Sequence, residues 1–136
     1  RQTLYHTISV MKLYNTLNTL ILEVASRDQV SDAIKNKRVC VINYNGDEPG
    51  GKGLRVIEPV AFGLSKKGNA VLRAWDREGA SHTAYKGEKP LAGWRLFRLD
   101  KMDFISPTQE TFDTPRPDYN PNGDKSMERV FINAVF

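Results

Sequence analysis

The hydrophobic period of this chain changes once, at Arg38, and that change limits the folds open to it. Between residues 8 and 25, Ile8, Met11, Leu13, Tyr14, Leu17, Leu20, Ile21 and Val24 recur at spacings of three and four, while Lys12, Asn15, Thr16, Thr19 and Glu23 fall on the other side. The spacing predicts an amphipathic helix. Its Thr and Asn content is mediocre for helix formation, so the helix must depend on packing its apolar stripe. Ser26 followed by Gln29 has the form of a capping box and predicts a second helix from about Arg27 to Asn36, with Val30, Ala33 and Ile34 inward. From Arg38 the period is two: Cys40, Ile42 and Tyr44 alternate with Val39, Val41 and Asn43.

Further strand candidates are Leu54 to Phe62, Ala70 to Trp75, Ser81 to Lys86 and Trp94 to Leu99, separated by short stretches rich in Gly, Asn and charge. Two helices followed by five short strands predict an α+β domain with a small, partly open, antiparallel β-barrel between Arg38 and Ile105. Pro59 should lie at a strand end or edge, because proline donates nothing to a ladder. Beyond Phe112, the stretch Asp113 to Gly123 carries three prolines and reads as an extended linker that decouples the C-terminal residues from the barrel. Arg129 to Phe136 turns apolar again, which predicts a C-terminal arm pairing with a sheet edge, in its own barrel or, more favoured, in a neighbouring chain. The expected division is therefore a helical arm (1–27), a barrel domain (28–112) and a Pro-rich linker with its apolar segment (113–136).

At 136 residues and 40% hydrophobic composition the chain can complete a core without a disulfide or metal. One cysteine and two histidines exclude a disulfide framework and a Cys/His zinc site, so no metal and no cofactor are expected. The longest apolar run near the start, Leu20-Ile21-Leu22, is too short for a membrane span. A first residue of Arg points to a trimmed or processed piece. Net charge is +4, with the surplus in residues 1 to 112 and a net −1 from residue 113 onward, which suits a polyanionic partner.

Enzymatic motifs fail on inspection. Gly46 to Gly53 matches a phosphate-binding loop except at Gly53, where the magnesium-holding hydroxyl belongs, and the residues after it read as strand instead of helix. Cys40 lies in an alternating strand, where a thiol is a small hydrophobe. Ser81 and His82 are neighbours on a strand candidate, so their side chains face opposite ways. The chain is expected not to be an enzyme.

Three segments carry more information. Ile42-Asn43-Tyr44, Arg55-Val56-Ile57-Glu58-Pro59 and Arg95-Leu96-Phe97-Arg98-Leu99-Asp100-Lys101-Met102 resemble, in order and spacing, the successive signatures of the WYL domain, and Ala33-Ile34 fits the family's leading helix. The resemblance spans about residues 28 to 112. It implies an Sm-like barrel that senses nucleic acid or nucleotide ligands, usually behind a helix-turn-helix in bacterial and phage regulators. The eponymous Trp-Tyr-Leu stretch aligns with Ala70-Val71-Leu72, keeping only the leucine, and Lys101 stands where the family has Arg. Tyr44, Arg55, Arg95 and Lys101 match the remaining basic and aromatic positions. Chemically they suit single-stranded nucleic acid or a nucleotide, because guanidinium forks grip phosphate and tyrosine offers a stacking face. The alternative for the arginines is cross-sheet pairing with acids such as Glu58 or Asp100.

Two functions are expected from these observations. One is a regulatory ligand-sensing module acting in the cytoplasm of a bacterial host. The other is a structural or assembly protein, as in a phage particle, whose arms (Leu17, Ile21, Phe131, Ile132 and Phe136) bind neighbouring subunits into a homo-oligomer or larger assembly.

Overall fold

The structure, a computed structural model, describes residues 27–46, 52–79 and 92–136. The expected helix over 8–25, with Leu17 and Ile21, and the expected strand over 81–86 lie outside the described residues. The second expected helix is present as α1, residues 27–35. Its inward face is the one the spacing marked, since Val30, Ala33 and Ile34 are all buried in the core. Lys37 ends it in the left-handed region, at φ 51°.

Six strands come after it among the described residues: β1 (Arg38–Asn45), β2 (Lys52–Leu64), β3 (Ala70–Gly79), β4 (Gly93–Arg98), β5 (Met102–Thr111) and β6 (Arg129–Asn133). All pairings are antiparallel, in the order β4-β3-β2-β1-β5, with β6 added to β2. The sheet is open: among the described residues no ladder joins its outer strands β4 and β5, which corrects the expected five-stranded barrel. Even so, only the 3-10 turn Leu99–Lys101 separates these two strands, so the sheet curls until their ends meet at that corner. There the Tyr44 hydroxyl of β1 accepts the Arg98 backbone N–H of β4 at 3.2 Å. A side chain bridges the gap where a closed barrel would have ladder bonds.

The length of β2 lets it serve three neighbours. On one edge Lys52 to Ile57 pair with β1 and Ala61 to Leu64 pair with β6, while the other edge pairs with β3. Pro59 therefore stands within a strand, not at its end. It is tolerated there because β1 has stopped and β6 has not begun, and because Val60 forms a bulge against β3, the setting in which a strand accepts proline. The Val60 carbonyl accepts the Ala134 N–H at 2.7 Å just beyond β6.

The segment after Phe112 is not a decoupled linker. It crosses the outer face of the sheet as a strap, tied by bonds from the Trp94 indole N–H to the Pro117 carbonyl (2.7 Å), from the Tyr119 hydroxyl to the Ala134 carbonyl (2.5 Å) and from Arg73 to both carboxylate oxygens of Asp124 (2.7 and 3.1 Å). These polar groups look like linker in the sequence because each one's partner is distant along the chain. Beyond the strap, β6 takes its edge from β2 of its own chain, one of the two expected pairings. Phe131 rests near Phe62, Ile132 is paired with Phe62, and Phe136 lies against Phe112 and Tyr119.

Gly63 shows how closely β6 is seated. A Cβ there would collide with the Arg129 carbonyl, a backbone atom that cannot swing aside. Gly63→Ala is expected to push β6 off its register and to cost roughly 2 kcal/mol in chemical denaturation, within the range for overpacked sites.

No helix among the described residues is long and apolar enough to cross a membrane.

Candidate ligand-binding site

Cross-strand partners share a face of a sheet, so the register sorts the candidate residues. Arg55 is opposite Ile42, and Tyr44 lies two residues along β1 from Ile42. On β3 and β4, Leu72 is opposite Phe97 and Ala74 is opposite Arg95. Tyr44, Arg55, Arg95 and Phe97 thus line one concave face. Lys101 lies in the corner turn, next to Met102, the register partner of Tyr44.

Arg55 is 5% exposed. Its guanidinium stands 5.6 Å from the Tyr44 ring centroid and 5.4 Å from that of Phe97, and the two rings meet edge to face at 4.9 Å. Its Nη1 donates to Asp76 Oδ2 at 2.8 Å, and Asp76 is 3% exposed. The carboxylate facing Arg55 is therefore neither Glu58 nor Asp100. The cause is a bulge: the register with β3 shifts between Val56 and Ile57, leaving Arg77 as the extra residue. Without it Asp76 would face Glu58 across the strands. With it Asp76 is opposite Ile57 and shares the face of Arg55. Asp76, Phe97 and the bulge were missed by sequence reasoning, since β-pairing register is not local information.

Arg95 and Lys101 are half-buried, whereas Arg55 is buried. Arg95 Nη1 donates to the Trp94 carbonyl at 2.9 Å, which anchors one end of its fork. Arg98, beside the Tyr44 hydroxyl, makes a bidentate pair with Asp100 at 3.0 and 2.7 Å, both side chains being exposed. An exposed pair of this kind contributes little to stability. The site thus has a fixed, charge-compensated floor of Tyr44, Phe97 and Arg55, and a rim of Arg95 and Lys101.

The opposite face carries a second ionic cluster. Glu58, 1% exposed, accepts from Arg77 Nε at 2.7 Å and from Arg116 at 3.0 and 2.6 Å, and Arg77 continues to Glu110 at 2.5 Å. Arg116 also lies 5.3 Å from the Trp75 ring centroid. Burial alone would raise the Glu58 pKa, but the two arginines outweigh it and hold the carboxyl below its ordinary range. Burial acts on Asp124 in the same direction, and Arg73 and the Ser126 amide likewise hold it low. Burial pushes the Cys40 thiol up to about 12, which leaves no thiolate near neutral pH.

Depressed carboxylate pKa values stabilise the fold above the unfolded-state values, about 3.9 for Asp and 4.3 for Glu, and the contribution is lost as pH falls through the folded-state values. The melting temperature is expected to be nearly flat from pH 7 to about 5 and to drop below about 4. In Glu58→Gln the melting temperature should start lower at pH 7 and fall less steeply, which thermal melts across that range will show.

Among the described residues no group of acids, histidines and cysteines could hold a metal ion. Comparison with protein-family models finds no match, and no curated protein sequence matches either. Among solved structures the chain is similar to Proteasome accessory factor B/C (PafBC) of Arthrobacter aurescens, with 28% identity and a TM-score of 0.52. That likeness covers 70% of this chain and 13% of the PafBC chain, so what is shared is one segment of a much longer protein.

Proposed function

We propose that this chain is a WYL-like, non-enzymatic sensing module of a regulator, and that its concave face takes a nucleotide or single-stranded nucleic acid. The observation that carries the reading is the union of Tyr44, Arg55 and Phe97, one from each of the three signature segments, in a single stack on one face. Residues far apart in sequence with nothing in common but a family pattern meet at one place. The likeness to PafBC, a WYL-domain-containing regulator, supports the same reading.

Roles divide by burial. Arg55 is a positioning residue: locked by Asp76, it holds the Tyr44 and Phe97 rings. Arg95 and Lys101 supply the phosphate contacts, and the half-buried Tyr44 supplies the ring face on which a base stacks. This reassigns Arg55, which the sequence placed with Tyr44, Arg95 and Lys101 among the residues suited to the ligand. The assembly reading draws less support, since β6 is seated in its own chain.

Fluorescence anisotropy with a labelled single-stranded oligonucleotide, at low and moderate salt, tests the proposal. Micromolar binding that weakens with salt is expected, with Arg95→Ala and Lys101→Ala each weakening it several-fold and lowering the salt slope by about 1. No binding at micromolar protein, or binding unchanged in folded Arg95→Ala and Lys101→Ala, would overturn it in favour of assembly.

A further inference from the structure

The strap covers one end of the sheet's outer face and leaves the other open. Leu54, Val56 and Glu58 alternate on the outward side of β2, beside Asn43, Val41 and Val39 of β1. Exposure climbs along these rows. Glu58 and Val39 are each 1% exposed, Val41 and Val56 are half-buried, and Leu54 is 60% exposed. The covered end is the one where Arg116 of the strap reaches Glu58. At the open end β5 widens the surface, because Phe104 is opposite Asn43 on the side away from Leu54 and is 42% exposed. An apolar patch of Phe104, Val41, Val56 and Leu54 results, with Asn43 at its centre.

We infer that the segment 8–25 of this same chain, which lies outside the described residues, docks its apolar stripe on this patch. The segment carries eight apolar residues at helical spacing on a sequence of mediocre helix propensity, and a stripe of that kind is stable only against another layer. Its length suits the distance. The nine residues of α1 span about 13 Å, and Asn43 lies about 17 Å along β1 from Arg38, whereas 18 helical residues span about 27 Å. The stripe therefore reaches the patch directly from the start of α1. The patch is also prepared for cover, since the polar group at its centre is already satisfied: Asn43 Nδ2 donates to Asp103 Oδ2 at 2.9 Å. The other exposed aromatic side chains are partly engaged, Phe131 near Phe62 and Phe136 against Phe112 and Tyr119, which leaves Phe104 and Leu54 as the larger uncovered surface. This docking does not depend on the function proposed for the opposite face.

The test places a nitroxide spin label on the full chain at Ser106→Cys, an exposed position opposite Val41, with the buried Cys40 protected from labelling by the fold. Paramagnetic broadening of the Leu17 and Ile21 amide signals is expected when label and nitrogen-15 are on the same chain, and its absence when they are on different chains in a mixed sample. Leu54→Asp/Phe104→Asp, at two exposed positions, should abolish the broadening, and so should Leu17→Asp, which leaves every described residue intact. Should the double variant fail to fold, Leu17→Asp decides. Amide signals of 8–25 that stay sharp in the labelled parent, broadening in the mixed sample alone, which would put a second copy on the patch, or broadening unchanged in the folded variants would each overturn the inference.

Discussion

Asp76→Ala is expected to destabilise the chain by roughly 3–5 kcal/mol, the range for removing one partner of a buried ion pair. Arg55 and Asp76 are 5% and 3% exposed, so the guanidinium left behind cannot recover its hydration without opening the sheet. The Tyr44 and Phe97 rings offset some of this, since both lie within 6 Å of the charge, but a ring face does not replace a carboxylate at 2.8 Å. Set against the roughly 5–15 kcal/mol that a domain of this kind possesses, the loss should be visible as a large fall in urea midpoint. The double variant Arg55→Met/Asp76→Leu provides the contrast. It removes both charges at similar volume and should recover most of the loss, because a buried pair replaced by apolar groups is close to neutral. If the single substitution costs less than about 1 kcal/mol, the pair is solvated in solution and the fixed floor of the site is wrong.

Deleting residues 126–136 should have an effect of the same order, at unchanged mass. The deletion removes β6, the buried Met127 and Ala134, and the half-buried Val130 and Ile132, and it uncovers the far half of β2. Counting Met127 as one full burial and the two half-buried residues together as another gives roughly 3–6 kcal/mol at 1.5–3 per side chain. The ordering of a short strand offsets part of that. Light scattering and a denaturation series on the same sample separate the alternatives. Lower stability at constant mass supports docking at home, whereas a fall from oligomer to monomer would mean that the arm is exchanged between chains.

Local periodicity accounts for the part of the fold that could be read from the sequence. The inward face of α1 and the alternation of β1 are local facts, and both are in the structure as expected. β2 and β3 were found but taken too short, since Lys52, Gly53 and the polar end Asp76 to Gly79 carry no apolar signal. β5 was missed outright. It contains Pro107 and buries only Ile105, so neither composition nor alternation marks it; what makes it a strand is its pairing with β1. The strap was misread for a related reason. Arg116, Tyr119 and Asp124 look like solvated linker until Glu58, Ala134 and Arg73 are brought to them by the fold. In the candidate site, the family pattern found Tyr44, Arg55 and Arg95, but the role of Arg55 turns on one extra residue at Arg77, a change of pairing parity that no spacing rule reveals.

The sharing of one β2 edge between β1 and β6 bears on colloidal behaviour. A thirteen-residue strand rich in apolar residues would be a template for intermolecular pairing if either half of that edge were bare. With both halves occupied, the outer strands among the described residues are poor templates: β4 and β6 have only six and five residues, and β5 carries Asp103, Pro107 and Glu110. The longest apolar strand among the described residues is thereby enclosed by its own chain, and β6 acts as a shield as much as a structural strand.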